Sequence, residues 1–113
     1  MESTRQQKVS RLLQRELGTY FQQNAITLLP GKMITVTVVR ISPDLSVAKV
    51  YLSIFPLNKE EKPLDNIRAH ASNIRNHVGR IIKNQLRIIP EFIYYLDDSL
   101  DYIEKIDNLL NED

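Results

Sequence analysis

Residues 47–54, Val-Ala-Lys-Val-Tyr-Leu-Ser-Ile, alternate strictly. Ala48, Val50, Leu52 and Ile54 fall on one side of an extended chain, and Lys49, Tyr51 and Ser53 on the other. A period of two fits a strand with one face in a core and one toward solvent. Residues 34–39, Ile-Thr-Val-Thr-Val-Val, also alternate and are β-branched, which suits a pleated, half-buried surface. Between the two runs lies Ser42-Pro43-Asp44-Leu45, where Pro43 presets its φ and Asp44 tolerates a tight bend. The pair is predicted as a β-hairpin with a single buried face, stopped by Pro56. Helices supplied by the rest of the chain are expected to cover that face.

Ahead of the hairpin, Ser3-Thr4-Arg5-Gln6 has the form of a capping box, so a helix is predicted to start there. Val9, Leu12, Leu13, Leu17, Tyr20 and Phe21 share one side of it at about 100° per residue. Arg5, Lys8, Arg11 and Arg15 project on the other side. Gly18 costs about 1 kcal/mol against alanine, which weakens the last turn. Pro30-Gly31 then marks a turn.

After the hairpin, Pro63 suits a first helical turn, and Leu64, Ile67, Ala71, Ile74, Val78, Ile81 and Ile82 form an apolar stripe at helical spacing. Pro90 ends whatever helix precedes it. A straight helix over residues 64–87 would run about 36 Å, whereas strands of this length give a sheet only ~20–30 Å long. The helix is therefore expected to break between Ala71 and Gly79, with Ser72-Asn73 and Gly79 as weak points. Residues 92–96, Phe-Ile-Tyr-Tyr-Leu, read as a third strand. Asp98-Ser99 would cap a final helix on Leu100, Ile103, Ile106 and Leu110. The predicted fold class is α+β, in the order α-β-β-α-(kink)-α-β-α, with helices on one face of a three-stranded sheet.

The length of 113 residues gives one domain over residues 1–113. No run of 18 apolar residues could span a membrane, and the start, Met1-Glu2-Ser3-Thr4-Arg5, lacks the apolar core of a secretory signal. A cytoplasmic location is expected. The chain has no cysteine, hence no disulfide, thiol nucleophile or thiolate metal site. Its glycines are isolated and write no phosphate loop. The two histidines, His70 and His77, stand seven apart on one helix, whereas two metal ligands on a helix usually sit four apart. Asp97-Asp98 straddles a strand end and a helix start, where a cap explains the acids better than a catalytic pair. No catalytic residue, metal or cofactor is expected.

The net charge of +1 hides a segregation. Residues 97–113 carry seven acids and only Lys105 as a base, so residues 1–96 sum to +7. The 25 residues 66–90 hold Arg68, Arg75, Arg80, Lys83 and Arg87 without one acid. A solvated helix face normally mixes signs, because opposite charges four residues apart stabilise a helix and like charges cost it. Together with the basic side of the first helix, the stretch points to a polyanion. Asn73, Asn76, Asn84 and Gln85 add donors for phosphate and sugar oxygens.

Three segments carry a family resemblance: VTVVRISPDLSVAKVYLSIF at 36–55, IRNHVGR at 74–80 and LRIIPEFIYYLDDSLDYIEKIDNLL at 86–110. Together they are similar to the ribosome-binding factor A family, small-subunit assembly factors with a type II KH-like fold. The resemblance implies binding to the small (30S) ribosomal subunit and its 16S rRNA during late maturation, rRNA processing and cold adaptation. It also implies no catalysis, a monomer off the ribosome, and release by a GTPase or by competing translation factors. A KH domain grips nucleic acid with a GxxG loop, which this chain lacks. The family replaces that loop with a helix–kink–helix carrying Ala-x-Gly, for which the nearest match is Ala71-Ser72-Asn73. The expected RNA-contacting set is Arg5, Lys8, Arg11, Arg15, Arg75, His77, Arg80, Lys83 and Arg87. Two other readings stay open: a protein-interaction module whose acidic final helix docks on a basic partner, and a KH-like RNA-binding domain without ribosome specificity. A sequence-specific DNA binder lacks the helix–turn–helix or zipper pattern it needs.

Overall fold

The computed structural model describes residues 3–58 and 60–97. The predicted final helix, with its cap at Asp98-Ser99, lies outside the described residues. Within them the order is α1 (Thr4–Leu28), β1 (Met33–Ile41), β2 (Val47–Phe55), α2 (Pro63–Ala69), α3 (Ala71–Ile82) and β3 (Glu91–Leu96).

The capping box forms as the sequence predicts. Gln6 N donates to Ser3 Oγ at 3.1 Å and Ser3 N donates to Gln6 Oε1 at 2.9 Å. The Gln6 amide also donates to Ile41 O at 3.0 Å, so the start of α1 is tied to the end of β1. Gly18 does not shorten the helix, because Tyr20, Phe21 and Leu28 beyond it are all buried. Packing outweighs a local propensity loss of about 1 kcal/mol.

β1 and β2 form the expected antiparallel hairpin, and β3 joins β2 in parallel, giving the order β1-β2-β3. A parallel neighbour requires a crossover, and α2 and α3 provide it. β2 is thus central, and its Ala48, Val50 and Leu52 are fully buried beneath the helices. Strict alternation in β1 would turn Val38 inward and Val39 outward. The register shifts between Val36 and Val38, and this bulge reverses the phase. Ile34, Val36, Val39 and Ile41 face the core, while Val38 is exposed. The hairpin turn places Leu45, rather than Asp44, in the left-handed region with φ 63°.

Two expectations for the long helical stretch need correction. The break falls at His70, one residue before the Ala71-Ser72-Asn73 kink expected from the family pattern, and those three residues form the first turn of α3. Asn73 is not left-handed; among the described residues only Leu45 and Gly31 have positive φ. His70 re-aims the chain from the bridge region, with φ −103° and ψ 14°. Its Nδ1 lies 2.9 Å from Asn66 O. The break lets α2 pack on β3 while α3 turns onto α1, and Ile67 and Ile74 on its two sides are both fully buried. The helix also stops at Ile82 instead of running to Arg87. Gln85 N and Leu86 N both donate to Ile82 O, at 2.8 and 3.0 Å. The overhang anticipated for a straight rod never arises, because the chain leaves the helix and drops through buried Leu86 and Pro90 into β3.

Candidate nucleic-acid interface

Helix periodicity turns Val9, Leu13, Leu17 and Phe21 onto the sheet, so Arg5, Lys8, Arg11 and Arg15 necessarily line the outer surface of α1. All four are exposed. The stripe holds one acid, Glu16, which pairs with Arg15 at 3.2 Å.

α3 buries Ile74, Val78 and Ile82 and turns Arg80 outward. Lys83 follows at the helix C-cap, where a cation also suits the negative end of the helix dipole. Arg87 is carried by the loop rather than by a helix face, yet it too is exposed.

The two helices run antiparallel. Tyr20 meets His77 with ring centroids 5.0 Å apart, and Asn66 Nδ2 reaches Leu28 O at 3.4 Å. At the opposite end, Arg5 and Arg87 line one cleft of about 190 Å³ together with Asp44, Leu45, Ser46 and Leu86. The two basic stripes therefore share one end of the molecule, which no spacing in the sequence could reveal.

Not every expected residue sits with this set. Arg75 Nη2 donates to Ile89 O at 2.8 Å, which ties the loop after α3 back onto the helix. His77 is half-buried in the α1–α3 seam against Tyr20. Both have structural contacts that compete with a phosphate. Arg68 likewise donates to Tyr94 O at 3.3 Å. Lys32 is held by Glu61 and by Pro56 O, each at 2.6 Å. Two bases absent from the expected set, Arg40 and Lys49, stand exposed on the sheet face opposite the helices, and neither pairs with a described acid. The strand alternation that put Lys49 on the outer face was the available signal.

Asp44 brings a fixed negative charge to the rim of the cleft. Its carboxylate accepts from Ser42 Oγ at 2.7 Å, Ser46 Oγ at 2.7 Å and Ser46 N at 3.1 Å. These bonds, Ser42 foremost, lower its pKa from 3.8 to about 2. A depressed folded value means the group contributes stability above pH 3.8, and that contribution is lost as pH falls through about 2. The Asp44 carboxyl ¹³C resonance is expected to titrate near pH 2, and Asp44→Asn should flatten the stability profile between pH 4 and 2. A titration midpoint close to 4 would show that the serine bonds do not hold in solution.

The arrangement offers rows of cations for a phosphate backbone and little else. Among the described residues no group of three or more His, Asp or Glu could hold a metal ion, and no helix is long and apolar enough to cross a membrane. The Asp97 carboxylate accepts from Thr37 Oγ1, which gives that acid a structural role.

Comparison with known proteins fits this picture. The family model for ribosome-binding factor A matches residues 5–110. Ribosome-binding factor A of Cytophaga hutchinsonii is 46% identical over 112 residues, covering 99% of this chain and 84% of that protein. The Flavobacterium johnsoniae protein of the same name is 40% identical over 114 residues, covering 97% and 85%. Among solved structures, crystalline ribosome-binding factor A from Thermus thermophilus superposes with a TM-score of 0.67 at 24% identity, over 80% of this chain and 94% of that one. A homology model of the Thermus factor, fitted into a cryo-EM map of its complex with the 30S subunit, superposes at 0.62 and 24% identity, over 79% and 91%. With its sequence matched along nearly its whole length and its fold shared, the chain belongs to the ribosome-binding factor A family.

Proposed function

We propose that this protein binds the free small ribosomal subunit through its 16S rRNA and assists late maturation, including rRNA processing and cold adaptation, without catalysing a covalent step. The observation that carries the reading is the pair of basic stripes, Arg5, Lys8, Arg11 and Arg15 on α1 and Arg80 and Lys83 at the end of α3 with Arg87 in the loop that follows, all exposed, with α1 and α3 packed side by side. Family membership supports it, as does the fitting of a Thermus relative into a 30S complex. On this reading the protein is a cytoplasmic monomer when off the ribosome, and its release is driven by a GTPase or a competing translation factor.

Sedimentation with free small subunits, large subunits and whole ribosomes tests the proposal. The protein is expected to travel with free small subunits and not with whole ribosomes. Its affinity should fall by about 0.7–0.9 log units per phosphate contact for each log unit of salt. Affinity independent of salt would favour a protein-interaction module instead. Equal binding to any structured RNA would favour a general RNA-binding domain.

A further inference from the structure

Where the two basic stripes meet, the cleft is not lined by cations alone. Leu86 is buried there, Leu45 is half-buried against the core, and Ile88 stands 69% exposed beside them. Leu45 keeps its place at φ 63°, a backbone region that glycine enters freely and leucine rarely does. Strain of this kind collects where a ligand is gripped. Arg5 and Arg87 line the same cleft, and neither pairs with an acid among the described residues. Asp44 lines it too, and its Oδ1 takes all three bonds from Ser42 and Ser46. Its Oδ2 is left with acceptor capacity to spare, and the serine bonds keep the group ionised at neutral pH. The walls are tied in advance of any ligand. Glu91 N donates to Ser46 O, and Leu45 N to Ser42 O, each at 2.9 Å.

We propose that this cleft takes one unstacked guanine of single-stranded RNA, with the phosphates on either side of it held by Arg5 and Arg87. The inference deepens the RNA-binding reading above and rests on it. Single-stranded loops and bulges can splay a base out, to be packed on side chains and read along its Watson–Crick edge. A volume of about 190 Å³ is smaller than the ~300–1,000 Å³ of pockets that enclose a drug-sized ligand. One planar base suits that space, with its sugar and phosphates left outside. Leu45, Leu86 and Ile88 offer the base an apolar surface to cover. The choice of guanine comes from Asp44, because a carboxylate only accepts hydrogen bonds. Guanine presents two neighbouring donors, N1–H and the N2 amine. Adenine and cytosine set a bare ring nitrogen beside their amine, and uracil flanks its one N–H with two carbonyls. Each of these brings lone pairs against a fixed negative charge, which selects against it. An acidic peptide is the poorer fit, because Asp44 repels its carboxylates.

Uridine heptamers with guanosine, adenosine, cytidine or uridine at the centre, titrated into the ¹⁵N-labelled full-length chain, test the inference. The guanosine heptamer is expected to bind about tenfold tighter than the other three and to shift the amides of Leu45, Ser46 and Ile88. Asp44→Asn keeps Oδ1 for the serines and puts an amine donor in place of Oδ2, so the preference should fall to no more than about twofold. Unshifted amides of Leu13 and Val50 show that this variant is folded. Ile88→Gln, at a position with little packing to lose, should reduce the preference as well. Four equal affinities would overturn the inference and leave the RNA-binding reading standing. Binding to none of the heptamers would also overturn it, and sedimentation with small subunits then decides that reading separately. A guanine preference that survives Asp44→Asn, or that shifts the amides of Tyr51 and Tyr95 instead, overturns it too. So does an equal shift of the cleft amides by a heptaglutamate peptide, since any anion would then serve.

Discussion

With Arg80, Lys83 and Arg87 all changed to glutamate, the protein is expected to fold as before and to lose small-subunit affinity by roughly a hundredfold. Three exposed phosphate contacts at about 1 kcal/mol each amount to about 3 kcal/mol, a little more than two factors of ten. The salt slope should shrink by about 0.7–0.9 per contact removed. None of the three side chains is buried, and surface changes of this kind usually move stability by less than about 0.5 kcal/mol. Arg80 and Lys83 at the end of α3 add a dipole penalty of about 0.3–1 kcal/mol each when reversed, so a small fall in Tm is part of the expectation. A matched control compares the Arg80→Glu, Lys83→Glu pair with Lys59→Glu, Lys62→Glu, which changes the net charge equally in the connection before α2. Binding assays that cannot distinguish the two pairs would mean that total charge acts and no defined face exists. Wild-type affinity in the triple variant would mean that these bases only solubilise the helix.

The largest loss of stability from a single substitution is expected at Phe21. This side chain is fully buried and sits edge-on between Tyr20 and Tyr94, with ring centroids at 5.8 and 6.1 Å. It is the point where α1 meets β3 across the crossover. Phe21→Ala removes the ring and leaves a cavity that rigid neighbours on both sides cannot collapse. The expected cost is about 3–5 kcal/mol, a large share of the ~5–15 kcal/mol that holds a domain together. Urea unfolding followed by far-UV circular dichroism measures it, and the chain has no tryptophan to report by fluorescence. A loss below about 1 kcal/mol would mean that α1 is not packed on the sheet as described. The same variant should also weaken subunit binding, because the stripe from Arg5 to Arg15 keeps its position only while α1 stays docked.

Local pattern determined the elements, and long-range packing determined how they meet. Ser3 and Gln6 capped α1 within four residues of sequence. Period-two spacing identified β1 and β2, and the stripe from Leu64 to Ile82 announced helix. Each of these signals lies inside one segment and depends on backbone geometry alone. The bulge after Val36 lay beyond reach, because it becomes visible only when β2 offers a register to break. The choice of β2 as the parallel neighbour of β3 is likewise a pairing of segments some forty residues apart. The break at His70 and the helix end at Ile82 were decided by what α2 and α3 touch, β3 and α1 respectively, and not by the helix propensity of Ser72 or Asn73. The candidate interface divides in the same way. That Arg5, Lys8, Arg11, Arg15 and Arg80 face outward followed from the buried stripes of α1 and α3, whereas Arg87 is exposed on a loop those stripes do not reach. That Arg5 and Arg87 share a cleft, while Arg75 and His77 are engaged by Ile89 and Tyr20, required the antiparallel docking of two helices, because contacts between residues far apart in the chain have no period in its sequence.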